Sequence, residues 1–320
     1  MPPVCAVGPV EWGIEMRLFL TILADDILPI FLVAAVGFVL ARRLRVDVKS
    51  VSRVTFNALA PCLVFTQLVT SRVGAGEFGR IVAFTILLVG SAGAVARLAA
   101  IPFRLERPAL AAFLIVVMFS NSANYGLSVV LFAFGEEALS RAVVYFATGA
   151  MLVYSVGSFL ASSGRRSARE AAAGLLRVPA LWGLLAAAVV IGTGATLPAF
   201  VLRPATLLSS AAIPTMLLVL GMQFERGAWP ERPALVATAA LLGLVGSPLI
   251  GFGLAWLLGL EGVSRQAVLV EAAMPSAVIT TILAVEFDVE PRFVTSVVVV
   301  TTLASAVTVS ILIALLKSGY

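Results

Sequence analysis

Ten runs of about twenty apolar residues, at roughly 26–41, 51–70, 78–98, 108–134, 138–162, 179–197, 204–224, 233–259, 265–286 and 291–316, occupy most of this 320-residue chain. A helix needs about 20 residues to cross about 30 Å of hydrocarbon, and nearly all charged side chains fall in short clusters between the runs. Composition agrees: 61% of residues are hydrophobic and 12% charged, with a mean hydropathy of +1.08. A soluble domain would show roughly 45–50% and 25%. The bilayer offers no water to backbone N–H and C=O groups, so each run must satisfy its own as a helix. The pattern predicts an all-α polytopic membrane protein of ten transmembrane helices.

Two of the runs are interrupted. The fourth contains Ser120-Asn121-Ser122-Ala123-Asn124-Tyr125-Gly126, and the ninth contains Glu271-Ala272-Ala273-Met274-Pro275-Ser276. At membrane depth a polar or proline-broken stretch is tolerated only where it lines a protein cavity, and transporters place their binding sites at such breaks. The two stand in register. Pro61 and Pro214 are 153 residues apart, and the same offset carries Ser122 to Pro275 and Glu137 to Glu290. Three landmarks in one register predict an internal repeat.

Charge sets the expected orientation. With the first loop taken as cytoplasmic, 15 of the 22 basic residues fall on that side, among them Arg42, Arg43, Arg45, Arg53 and Arg292. Arg17, Arg72, Arg80, Arg141, Arg203, Arg265 and Lys317 fall on the other. The Lys/Arg bias therefore places both termini outside the cytoplasm, in a multi-pass protein of the inner (plasma) membrane. Five helices per half, an odd number, gives the halves opposite orientations, so the expected fold is two inverted five-helix repeats with broken helices 4 and 9. The domain reading is a leader at 1–25, read as an over-extended start, then repeats at 26–163 and 179–320 joined by a cytoplasmic linker at 164–178. The net charge of +5 and pI near 9.8 need no nucleic-acid partner, since a solvated cytoplasmic rim explains them.

Catalytic chemistry is poorly supplied. The chain has no histidine, which removes the commonest general base, Ser-His arrangements and most transition-metal sites. Cys5 and Cys62 give no metal-ligand spacing, and none of the 26 glycines forms a phosphate loop between a strand and a helix. No enzyme activity, cofactor or metal is expected.

Three constellations could carry function. Asn121 and Asn124, with Ser120 and Ser122 alongside and Gly126 after them, offer carboxamides, freed backbone amides and a half-helix N-terminus to a carboxylate. The alternative is hydrogen bonding between packed membrane helices. Pro275, with Ser276, Thr280 and Thr281, frees a carbonyl one turn earlier and adds hydroxyls facing the first break; the alternative is a simple proline kink. Glu271 is the only acid well inside a run, and an ionisable residue at that depth is by default a functional hypothesis. It could carry a proton, ligate a cation, or sit at the interface. Asn57 and Gln67, with Pro61 on the second helix, are weaker candidates, and Pro214 and Gln223 are their approximate partners.

At these residues a resemblance becomes specific. Phe119 through Ser128, followed by Phe134-Gly135-Glu136-Glu137-Ala138, resembles the fourth-helix signature of the auxin efflux carrier family. Asn57 with Pro61, Pro214 through Gly221, and Ala272 through Ser276 resemble the same family, over roughly 16–317. The resemblance implies a scaffold of helices 1, 2, 6 and 7 and a mobile transport domain of helices 3–5 and 8–10. It also implies that helices 4 and 9 cross at their breaks and bind a small organic anion there, at Asn121, Asn124, Gly126 and Pro275 in this chain. Ser128 stands where the family usually has proline, which predicts a less sharply broken first crossover. The short central loop resembles bacterial members, the malate and malonate permeases, so dicarboxylates are expected rather than auxin.

The resulting expectation is a secondary transporter of small carboxylates working by alternating access. A cation-coupled symporter of the related bile-acid/sodium type and a membrane receptor that binds without moving its ligand are the rivals. Expected partners are a small organic anion and the lipid bilayer, with a second copy of the chain as a further candidate.

Overall fold

In a computed structural model of the chain, described residues are 9–71, 73–162, 174–176, 178–224 and 232–318, with side chains described from residue 16. Nearly all of them are helical. Six helices are long and apolar enough to cross a membrane: Met16–Leu44, Ala75–Ala99, Ser122–Ala161, Ala199–Gln223, Pro233–Leu257 and Pro291–Lys317. Arg107–Met118 and Pro179–Thr193 are shorter apolar helices. This is a multi-pass membrane protein. Among the described residues no strand forms, and the single antiparallel bridge joins Ser120 to Ser276.

In chain order the elements are α1 (Pro9–Ile22), α2 (Leu28–Leu44), α3 (Val48–Val54), α4 (Ala60–Thr70), α5 (Ala75–Ala99), α6 (Arg107–Met118), α7 (Leu127–Leu152), α8 (Ser158–Ala161), α9 (Pro179–Thr193), α10 (Ala199–Gln223), α11 (Pro233–Leu241), α12 (Ser247–Leu257), α13 (Gly262–Ala272), α14 (Ile279–Phe287) and α15 (Pro291–Lys317). The first apolar helix thus begins upstream of the 26–41 run, because α1 continues through a wide turn into α2. Most of the expected linker, 164–173 and 177, lies outside the described residues, as does Cys5.

Several spans are joined through a five-residue π-helical turn. Leu23–Ile27 precedes α2, Thr55–Leu59 precedes α4 and Leu242–Gly246 precedes α12. In each case the second residue of the following helix is a proline: Pro29, Pro61 and Pro248. A proline ring collides with the carbonyl four residues back and donates no N–H, and one widened turn relieves both faults without breaking the helix. Asp47 starts α3 by accepting hydrogen bonds from the backbone N–H groups of Lys49 and Ser50 at 3.2 and 3.1 Å. The Ser50 hydroxyl, with those two N–H groups, holds the Asp47 carboxyl below the usual carboxylate range, so the cap is lost as pH falls through that lowered value.

Helix pairs approach closely where glycine removes a side chain. Gly37 on α2 meets the Leu218 carbonyl of α10, Gly221 on α10 meets the Ala34 carbonyl of α2, and Gly183 on α9 meets the Pro61 carbonyl of α4. A Cβ at any of the three would overlap the facing backbone, the small-residue packing expected between membrane helices. The 40-residue stretch Ser122–Ala161 is two helices rather than one. Gly135, at φ 78° and ψ −173°, turns the chain sharply between them, a conformation that residues with a Cβ rarely adopt.

Candidate functional site

The two sequence breaks meet. α6 ends at Met118, residues 119–121 are non-helical, and a π-helical turn over Ser122–Gly126 leads into α7. α13 ends at Ala272, residues 273–278 are non-helical, and α14 begins at Ile279. Where they cross, the N–H of Asn121 donates to the Pro275 carbonyl at 2.7 Å, and the N–H of Ala277 donates to the Phe119 carbonyl at 2.8 Å. Each break thus satisfies backbone groups freed by the other, which is how non-helical chain survives inside an apolar bundle.

The first crossover is fully broken, against the expectation drawn from Ser128. The π turn before Ser128 sits at the same spacing as those before Pro29, Pro61 and Pro248. The reciprocal bonds to the second break hold the interruption open, so proline is not required.

A cavity of about 250 Å³ reaches from Ser52 and Arg53 on α3 to the crossover. Its deep wall is made by Ser120, Asn121, Ser122 and Asn124, with Tyr145 beside them. Asn121 and Asn124 are buried, 3% and 5% exposed. The Asn121 amide nitrogen and the Asn124 amide oxygen have no hydrogen-bond partner. Both residues sit at the N-terminal end of a half-helix, whose first turn leaves backbone N–H donors without intrahelical carbonyls and carries the positive end of the dipole. An unsatisfied buried amide costs about 1–3 kcal/mol. Such a cost at a cavity wall marks where a ligand would supply the missing bond.

The other expected residues divide. Asn57 lines the cavity mouth and donates to the Arg53 carbonyl at 2.8 Å, and Gln223 lines it with its buried amide oxygen partnerless. Ser276 does not line the cavity; its N–H donates to the Thr301 hydroxyl and its own hydroxyl to the Val116 carbonyl at 2.7 Å. Pro275 contributes a carbonyl to the crossover rather than a face to the cavity. The hydroxyls of Thr280 and Thr281 donate to the carbonyls of Ala277 and Val278, three residues back. Gly126 lies behind the crossover, where a Cβ would overlap the Glu271 carboxyl. Glu271 is fully buried within the protein. Gln67 is elsewhere: its amide nitrogen donates to Glu136 at 3.0 Å and its oxygen accepts from Ser140 at 3.1 Å.

Two lining residues had no place among the sequence candidates. Arg53 is the only charged side chain lining the cavity among the described residues, and by sequence it counts only toward the basic rim. Tyr145, whose hydroxyl is 3.4 Å from Ser120 Oγ, sits in an uninterrupted apolar run that carries no signal for it.

The sequence profile of the family described as membrane transport protein matches the chain twice, over residues 22–173 and 163–313. An uncharacterized transporter of Methanothermobacter thermautotrophicus is 26% identical over 269 residues, 82% of this chain and 86% of its own length. Another of Methanocaldococcus jannaschii is 25% identical over 213 residues, 65% of this chain and 69% of its own length.

Proposed function

We propose, starting from the chain's membership of the membrane transport protein family, the auxin efflux carriers, that it is a secondary transporter of small carboxylates whose site is the crossover. The observation that carries this reading is the Asn121 amide nitrogen, buried without a partner at a half-helix N-terminus in the cavity wall. A carboxylate would accept that donor, and Arg53 gives the path to it a positive charge that no acid among the described lining residues opposes. The modest volume suits a small molecule. In this reading the substrate's carboxylate sits at Asn121 and Asn124, while Gly126, Pro275 and Ser276 shape the crossover from behind.

Ten spans in two inverted repeats complete the reading. The double family match supports it, as does the packing of α2 on α10 and of α4 on α9, the first span of each half against the second span of the other. Gln67 is tied to Ser140 at the end away from the cavity, while the Gln223 oxygen is partnerless within it. Such unlike surroundings for matched residues are what alternating access requires, with the tie passing to Gln223 when the cavity opens on the opposite side. By the Lys/Arg bias the present cavity faces the cytoplasm and both termini face outward. Uptake of radiolabelled malonate, succinate and benzoate by proteoliposomes tests the reading. Protein-dependent, saturable entry of at least one is expected; binding without entry would mean a receptor instead.

A further inference from the structure

Glu271 takes no part in the cavity, yet its side chain is costly to leave as it stands. It is fully buried, neither carboxylate oxygen has a hydrogen-bond partner, and the carboxyl rests on Gly126 where the first break turns back into helix. An ionised carboxylate taken out of water without a partner is far costlier than a neutral acid, so such a group either finds a cation or holds a proton.

Among the described residues no cation is placed to serve it. α13 packs against α5, α7, α12, α15 and the Ser122–Gly126 turn. α12 carries no titratable side chain. On α5, Glu77 pairs with Arg141 of α7 at 2.8 Å, and Arg80 donates to the Gly259 carbonyl at 2.9 Å. Arg97 lies in the last turn of α5, and Arg292 is the second residue of α15. Lys317 pairs with Asp26 at 2.8 Å. On α7, Glu137 is 3.5 Å from Arg141, and Glu136 accepts from Gln67. Arg265 shares α13 with Glu271 but is six residues away, about 9 Å of helical rise. What remains is Tyr125 on the turn and Tyr145 on α7, and Tyr145 lines a small void together with Ala272, the chain neighbour of Glu271.

Tyr145 also touches both sides of the crossover. It lines the large cavity with Ser120, and the two also bound a void of about 10 Å³ shared with Ala272 and Ser276. A space of that size is close to what one water needs, about 10–15 Å³, and Ser120, Tyr145, Ser247 and Ser276 are among its lining residues. The Ser120 and Tyr145 hydroxyls, 3.4 Å apart, thus stand between the cavity and the residue next to Glu271.

We propose that Glu271 is a proton-binding site that exchanges with the cavity through Tyr145 and Ser120. To load it, a water between the two passes the Tyr145 proton on to the ionised carboxylate, and Tyr145 takes one from the Ser120 hydroxyl, which is refilled by cavity water. Both hydroxyls end as they began, and one proton has moved from the cavity to Glu271. Its role in a transport cycle rests on the transport reading above. A neutral Glu271 behind the crossover leaves an anion at Asn121 unopposed, whereas an ionised one repels it, so proton and substrate binding favour each other.

Infrared spectroscopy of the purified protein in bilayers, from about pH 5 to 9 to bracket a carboxyl's range, tests the site without any substrate. A protonated-carboxyl band is expected in the wild type and absent in Glu271→Gln, and deuterium exchange of that band should slow about tenfold or more in Tyr145→Phe and in Ser120→Ala. A spectrum that Glu271→Gln leaves unchanged overturns the site. Exchange as fast in both hydroxyl variants as in the wild type overturns the path. Because the readout needs no transport, failed uptake with an intact band would count against the transport reading alone.

Discussion

Replacing Asn121 with alanine separates a binding group from a packing group, because the two roles predict opposite changes in stability. In the structure the Asn121 amide nitrogen is buried and bonded to nothing, so its removal deletes an unsatisfied donor and no hydrogen bond. The backbone N–H that holds the crossover, donated to Pro275, is untouched by the change. Thermal stability without substrate should therefore stay the same or rise slightly. Binding should suffer: a hydrogen bond to a charged group is worth about 1.5–3 kcal/mol, and about 1.4 kcal/mol is a factor of ten, so apparent affinity should fall about 10- to 100-fold. Asn121→Asp keeps the shape and adds a negative charge, and should lower affinity further. The assay is concentration-dependent uptake into proteoliposomes, paired with melting of the purified variants. Unchanged affinity in both variants, or a large loss of stability in Asn121→Ala, would refute the reasoning and return the residue to helix packing.

Arg53→Gln removes a charge that lines the cavity; since that side chain is exposed, a loss of about 0.2–1 kcal/mol, or less than about fivefold in affinity, is expected at low salt and should shrink as salt is added, and an effect independent of salt would contradict a role in charge attraction. Gly126→Ala forces a methyl group onto the Glu271 carboxyl and should lower stability by about 1–3 kcal/mol, a penalty that should diminish in a Glu271→Ala background; equal penalties in both backgrounds would show that the two do not touch. In a protein freed of Cys5 and Cys62, a cysteine at Lys49 should be shielded from an impermeant thiol reagent in intact cells and one at Ser318 should label; the reverse pattern would overturn the orientation.

Much of this architecture is legible in the sequence because the bilayer leaves few alternatives. The apolar runs locate the helices, and the polar stretch at Ser120 to Gly126 and the Pro275 break locate the crossing. What the runs conceal is three-dimensional. Gln67 and Gln223 look alike along the chain, yet one is tied to Ser140 and the other lines the cavity, a difference set by how the helices lean together. Arg53 reads as one basic residue of a rim until α3 brings it to the cavity mouth. Tyr145 is aromatic in an apolar run, and only the crossing gives its hydroxyl a neighbour in Ser120. Ser128 misleads for a related reason: a local rule links proline to the break, whereas hydrogen bonds from the distant second break maintain it.

The central claim is that one crossover site faces the two sides in turn. Trans-acceleration tests it most directly, using proteoliposomes loaded with an unlabelled carboxylate and presented with the same compound labelled outside. If an occupied site reorients and returns, labelled entry should be faster into loaded vesicles than into empty ones, and Asn121→Asp should lose the acceleration. Entry at the same rate whether or not the vesicles are loaded, for every carboxylate that enters at all, would contradict alternating access at this site.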